Sequence, residues 1–230
     1  MTSSGTYNFN PSIGEIVLYA YNNAGVRNTA LVQEHFQTAK VATNMMLARW
    51  ANQGVNLWKV ELVTLSLVQG QATYSVPANV VMVLDAYVTT VSGSSSTNRI
   101  ILPIGRSEYA TYPNPNQQGF TTVYWFDRLI SPTITLWPVP DGTSAQSVSF
   151  YAVTQIQDAA LTNGQTADIP YLWLEAFADG LAYRLARIWN PAIAPALKMV
   201  ADESYTIAAD QNVEQVNTYI SPQLAGYFRA

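Results

Sequence analysis

Trp125-Phe-Asp-Arg-Leu-Ile-Ser-Pro-Thr-Ile-Thr-Leu-Trp-Pro-Val-Pro-Asp-Gly142 reads as a strand, a tight reversal at Ser131-Pro132, a second strand, and a turn at Pro140-Asp141-Gly142. Thr133 to Trp137 alternate polar and apolar residues, the pattern of a half-buried strand. Pro138 and Pro140 have no N–H for a ladder, so the strand must stop there or lie at an edge. No nucleophile, acid or metal ligand in this stretch falls in a usable grouping. It is built to hold a shape.

The same logic extends on both sides. Val60–Val68 alternates, Gln69-Gly70-Gln71 turns, and Thr73–Pro77 is a short strand. Val80–Val91 is a long strand, followed by a hairpin loop over Gly93–Asn98 and a returning strand over Arg99–Ile104. Arg106–Tyr112 has room for a helical turn or two, and Thr121–Arg128 and Ser147–Gln155 complete the strands. Short strands broken by Gly and Pro predict an antiparallel β-sandwich or barrel-like module.

Helical periods flank this module. Ser12-Ile-Gly-Glu15 has the form of a capping box, and Asn22–Gly25 stops the helix it opens. Thr29 is placed to cap a helix from Ala30 to Asn52, with Leu31, His35, Ala39, Ala42, Met45, Met46 and Trp50 on one face and Gly54 at C′. Asp168-Ile-Pro170 opens another helix, with Pro170 in its first turn. Its apolar face is Leu174, Phe177, Ala178, Leu181, Leu185 and Ile188, and Asn190-Pro191 closes it. A last helix runs from Pro195 to Val213. The expectation is an α+β chain: an α-helical bundle formed by the N- and C-terminal segments, carrying the β module as an insertion. Its parts are residues 1–58 (N-terminal helices), 59–157 (β module), 158–216 (C-terminal helices) and 217–230 (an extended arm). In the bundle, Leu31, Ala42 and Met46 should face Phe177, Leu181 and Leu185.

Charged residues are 11% of the 230, well below the usual ~25%. Polarity therefore rests on Ser, Thr, Asn and Gln, whose surfaces desolvate at lower cost than charged ones and suit permanent assembly. With 11 Lys+Arg against 15 Asp+Glu, the net charge is −4, which argues against tight phosphate binding. Arg184 and Arg187, the closest basic grouping, read as a solvated helix face. Cys is absent, excluding disulfides and thiolate chemistry. The opening residues lack the basic and apolar regions of a secretory signal, and the most apolar run is too short to span a bilayer. The expectation is a soluble or assembled protein made in a cytoplasm.

Catalysis finds little support. His35 is the sole His and falls on a helix face, so a structural role fits it better than a relay or metal site. Asp141, Asp168 and Glu15 sit at turns and caps, and Asp202-Glu203 point to different helix faces. No phosphate-binding glycine motif occurs, and no cofactor or metal is implied. Trp58, Tyr74, Tyr109, Tyr112, Tyr124, Trp125, Trp137 and Tyr151 remain as packing residues, a protein interface or a sugar platform.

Several segments, taken in order, resemble the head-to-tail adaptor (connector) proteins of short-tailed bacteriophages, of the tail tubular protein A type. They are Gly54-Val-Asn-Leu-Trp58, Leu67-Val-Gln-Gly-Gln-Ala-Thr-Tyr-Ser-Val-Pro77, Val83-Leu-Asp-Ala-Tyr87 and Gly105-Arg-Ser-Glu-Tyr109. Trp125-Phe-Asp-Arg128, Leu136-Trp-Pro-Val-Pro-Asp141 and Ile169-Pro-Tyr-Leu-Trp-Leu-Glu-Ala176 continue the series over nearly the whole chain. Their order carries the resemblance, since each motif alone is a turn or strand end. It implies a non-enzymatic virion protein at the head-tail junction, a homo-oligomeric, dodecameric ring docked on the portal protein. Such a ring extends the channel for double-stranded DNA and offers a platform to a tail tube or nozzle protein. It is assembled in the host cytoplasm and uses no membrane.

The arm over 217–230 carries Tyr219, Ile220, Leu224, Tyr227 and Phe228, too much apolar surface for a solvated tail. It is expected to dock on the portal or a neighbouring subunit through these anchors. The alternatives are a carbohydrate-binding β module of a phage tail fibre or baseplate, and a glycan-cleaving enzyme using dispersed carboxylates.

Overall fold

In the computed structural model, which describes residues 3, 5–54, 56–161 and 164–214, helix α1 (Ile13–Asn23) starts at the expected box. The Ser12 backbone N–H donates to Glu15 Oε2 at 2.7 Å, and the Glu15 N–H donates to Ser12 Oγ at 3.3 Å. Ile13, Ile16, Val17, Ala20 and Tyr21 form its buried stripe.

Helix α2 (Gln33–Ala51) departs from the expected start. Residues Asn28–Ala30 form a 3-10 turn, and the chain stays extended at Leu31 and Val32, so Thr29 caps nothing. Val32 precedes the helix and has no side-chain acceptor. His35 compensates from inside the first turn, its Nδ1 accepting the Val32 N–H at 3.3 Å. The buried face is Ala39, Thr43, Met46, Leu47 and Trp50, while Met45 points to solvent. The helix caps at Asn52, so Gly54, expected at C′, lies one residue beyond that position, at φ +144.

The middle of the chain forms a seven-stranded sheet of order β1-β7-β3-β4-β5-β6-β2. The strands are β1 (Val60–Ser66), β2 (Thr73–Ser75), β3 (Val80–Ser92), β4 (Ser95–Pro103), β5 (Val123–Asp127), β6 (Thr133–Trp137) and β7 (Ala145–Thr154). It is one curled sheet, where a wholly antiparallel module, sandwich or barrel-like, was expected. Side chains from all seven strands meet in one cluster, around Val88, Ile101, Tyr124, Ile134, Leu136, Val148 and Phe150. One contact is parallel, Leu102 with Val123 and Pro103 with Tyr124. Hydrophobic alternation sets which face a residue takes but not the direction of its neighbour, so this contact was invisible in the sequence.

Three local corrections follow from pairing. Ser92 pairs with Ser95, so the hairpin turns on Gly93-Ser94 and Ser95–Asn98 belong to β4. Gly93 supplies the φ of +60 that such a tight turn needs. The β5–β6 connection spans 128–132, longer than a reversal at Ser131-Pro132. Finally, Thr135 is buried, because edge strand β2 covers its side and Thr73 Oγ1 lies 3.0 Å from Thr135 Oγ1.

After β7 the chain is tied to the helices at two points, Ala159 and Gln165. Asn44 holds it at both ends of one residue, its Oδ1 accepting the Ala159 N–H at 2.8 Å and its Nδ2 donating to the Ala159 carbonyl at 3.0 Å. The Ile13 N–H donates to the Gln165 carbonyl at 2.8 Å. Pro170 is extended and precedes a 3-10 turn (Tyr171–Trp173), so helix α4 starts later than expected, at Leu174, and ends at Trp189. Phe177, Ala178, Leu181 and Leu185 are buried; Ile188 is exposed. Helix α5 (Ala194–Asp210) packs on α4, as do α1 and α2. Met46 and α4 meet closely: a Cβ on Gly180 would lie 2.7 Å from Met46 Sδ. Leu31 and Ala42 sit at the margin of this cluster, partly buried.

One ion pair joins the two parts. Lys59, buried just before β1, donates to Asp168 Oδ2 at 2.9 Å, with Glu61 Oε1 farther off at 3.9 Å. The short helix α3 (Arg106–Tyr109) lies between β4 and β5.

Candidate functional site

Among the described residues, His35, Asp168 and Asp141 each have a structural task. His35 stacks on Trp189 with ring centres 4.0 Å apart and meets Tyr21 edge-on at 5.6 Å. The Tyr21 hydroxyl donates to the His35 carbonyl, and burial pushes its phenol up to about 12. The three rings pin α1, α2 and α4 together. Asp168 is taken by Lys59 and by the Gln157 N–H at 3.0 Å. Asp141 Oδ1 accepts the Thr143 N–H at 3.1 Å, which holds its carboxyl below the ordinary range. Asp202 and Glu203 are exposed. Among the described residues no group of three or more His, Cys, Asp or Glu could hold a metal ion. None of the described helices is long and apolar enough to cross a membrane.

The aromatic residues divide into two sets. Tyr74 and Tyr124 are buried in the sheet core, and Trp58 packs on Trp173 at 4.7 Å within the helical one. Tyr109, Tyr112, Trp125 and Trp137 form a half-buried group beside α3. Tyr112 stacks on Trp137 at 4.0 Å and 13°, and Tyr109 lies 5.7 Å from Trp125. These rings engage one another, which accounts for their half-burial as packing. Tyr151 alone of the set is exposed.

The residues that stand out are apolar and exposed. Ile130, at the tip of the β5–β6 hairpin, is 98% exposed beside Leu129. Tyr7 and Phe9 are exposed near Tyr171, which with them lines a shallow cleft. Phe36, Val41 and Met45 stand on α2, and Met199 and Ile207 on α5. On the sheet, the row Thr64–Ser149–Tyr87–Ile100 crosses four strands, its hydroxyls at Thr64 and Ser149 2.9 Å apart. Ile100, Leu62 and Tyr151 are exposed on these same strands. Exposed apolar side chains on a surface with so little charge suit association, since the cores of interfaces are depleted in charge.

The anchors expected in the C-terminal arm, Tyr219, Ile220, Leu224, Tyr227 and Phe228, lie outside the described residues. The reading of the sequence passed over Tyr7, Phe9, Leu129 and Ile130. The usable signal was present in Leu129-Ile130, two apolar residues beside a Ser-Pro turn, where polar residues are the rule.

No curated protein matches the chain. The SU10 adaptor protein family matches residues 22–222, from the end of α1 through the whole sheet to beyond α5. A sparsely charged surface with many exposed apolar side chains agrees with that match. The chain belongs to the SU10 adaptor protein family, and is thus a structural virion protein of the bacteriophage head-tail adaptor kind.

Proposed function

We propose that the chain forms the ring joining a phage head to its tail. In this reading identical subunits dock on the portal protein, extend the channel for double-stranded DNA and offer a platform to a tail tube or nozzle protein. The finer resemblance to the tail tubular protein A type, a dodecameric copy number and assembly in the host cytoplasm belong to the same proposal. So do the parts 1–58, 59–157, 158–216 and 217–230, with the last docking through Tyr219, Ile220, Leu224, Tyr227 and Phe228. The mechanism needs no catalytic group: contacts between unlike surfaces of successive copies close a ring.

The observation that carries the reading is the spread of exposed apolar side chains over both the helical part and the sheet. A protein with one partner needs one such patch; a ring subunit between two structures needs several. The net charge of −4 suits a conduit, since a strongly basic wall would retain DNA. Electron microscopy of the purified protein mixed with the cognate portal tests it. Rings or capped portals are expected. Unaltered portals beside dispersed subunits at every concentration would overturn it.

A further inference from the structure

Helices α2, α4 and α5 enclose a small cleft whose lining includes Arg49, Trp50, Arg184, Lys198, Asp202 and Tyr205. Three cations thus converge on a chain that has only 11. Asp202 is the one carboxylate in the lining, and it lies beyond ion-pair distance of all three. Arg184 is half-buried and, among the described residues, makes neither an ion pair nor a hydrogen bond. Burial pushes its guanidinium down, and Arg49 and Arg187 push it the same way. The contrast with Lys59 is direct. That buried cation has Asp168 at 2.9 Å, as a cation withdrawn from water requires. Arg184 is half-withdrawn from water beside like charge, with no carboxylate to offset it and only Tyr183 acting the other way.

We infer that the Arg49–Arg184–Lys198 cleft is a carboxylate-binding site, filled by an acidic side chain of a second copy of this chain. A planar guanidinium fork binds a carboxylate through two parallel hydrogen bonds, and Lys198 adds a point charge. Duplex DNA fits less well. It is held by cations arrayed along a surface, whereas these converge on a recess between helices. Other copies are a ready source, because Asp and Glu outnumber Lys and Arg by 15 to 11. Glu34, Asp85, Glu108 and Glu175 are exposed and outside any ion pair. A basic cleft facing an acidic surface elsewhere on the same chain makes a heterologous contact, the type that closes rings. The inference therefore rests on the ring reading and deepens it.

Two measurements on the full chain decide it, using wild type, Arg49→Gln/Arg184→Gln, and Arg187→Gln as a control on the same helix. The first is fluorescence anisotropy with labelled tetraglutamate and with a labelled short DNA duplex. Tetraglutamate should bind wild type and the control better than the duplex does, and lose affinity about tenfold or more in the double variant. No binding, equal binding by the double variant, or preference for the duplex would each overturn the site. The second is sedimentation velocity. Wild type and the control should associate in low salt, and the double variant should sediment as single subunits with an undiminished thermal midpoint. A double variant that associates like wild type sinks the inference and leaves the ring reading standing. A double variant with a lowered midpoint is compared instead as Arg184→Lys, which keeps charge but loses the fork and should still weaken association. Wild type that stays single in solution and on the portal breaks the ring reading, and the second-copy occupant falls with it.

Discussion

The helical part and the sheet bury their apolar residues in opposite ways. The helical cluster is rich in alanine: Ala20, Ala24, Ala39, Ala176, Ala182 and Ala186 have 2% exposure or less. Small residues let α4 sit close to α1 and α2, and large rings such as Tyr21, Trp50 and Phe177 fill what remains. The sheet cluster is built from Val, Ile, Leu and Phe150, which fill the concave side of a curled surface. A core of close backbones suffers most from added atoms, and a core of bulky side chains from lost ones. The chain therefore has two regions that should respond differently to substitution, with the Lys59–Asp168 pair and the Asn44–Ala159 bonds tying them together.

The largest expected effect tests whether they are one structure. Phe150→Ala and Phe177→Ala each remove a side chain with no exposed surface, at a cost of about 3–5 kcal/mol. If the two parts unfold together, calorimetry will give one transition lowered by either variant. Two transitions, each moved by only one variant, would make the parts independent and the comparison a matter of separate domains.

Next in size is the connecting ion pair. Asp168→Ala leaves Lys59 buried, with only the more distant Glu61, and should cost about 3 kcal/mol. Lys59→Met should cost clearly less, because Asp168 is partly exposed, can take up water, and still accepts the Gln157 N–H. Denaturant unfolding of both variants gives the order. A reversed order would mean that the carboxylate, not the ammonium, is the group that burial makes vulnerable.

Much of this was legible in the sequence, for identifiable reasons. The α1 box, the bounds of β6 and the buried Phe177, Leu181 and Leu185 follow from local spacing, which the sequence states directly. What failed depended on neighbours distant in the chain. Ser95–Asn98 has no apolar residue to mark a strand and becomes one because β3 lies beside it. Met45 and Ile188 fit an apolar stripe on their own helices, but no element covers them. Thr135 looks solvent-facing until β2 arrives as its neighbour. Of the assembly surfaces, the low charge was legible in the composition. The convergence of Arg49, Arg184 and Lys198 was not, since it joins three helices separated by long stretches of chain.

A smaller effect sharpens the contrast of packing styles. Gly180 is inside α4, where Ala is favoured over Gly by about 1 kcal/mol. The added methyl would meet Met46 Sδ, which is itself buried. Gly180→Ala should therefore destabilise the protein by about 1 kcal/mol, the overpacking exceeding the helical gain. With Met46→Ala already in place, the same substitution should become stabilising by about 1 kcal/mol. A double-mutant cycle by urea unfolding measures the change of sign. Gly180→Ala that stabilises the parent protein would show that Met46 has room to move, and that this core is looser than its alanines suggest.

The smallest effect lies at the start of α1, outside both cores. Ser12→Ala removes the acceptor for the Glu15 N–H and should cost about 1 kcal/mol. The Ser12 Oγ also lies 2.9 Å from Glu15 Oε2, and hydrogen bonds from Ser12 hold the Glu15 carboxyl below its ordinary value. Because the folded value is the lower one, this contribution is complete above the ordinary glutamate range of about 4.3 and is lost as pH falls through the depressed value. Thermal midpoints of wild type and Ser12→Ala should thus differ most near neutrality and converge in acid. A residual gap should remain, because the bond from the Glu15 N–H to Ser12 Oγ needs no charge. A gap that stays constant with pH would mean that the Ser12 hydroxyl acts through that neutral bond alone, the Glu15 carboxylate being held by the residue-12 backbone N–H that the substitution leaves in place.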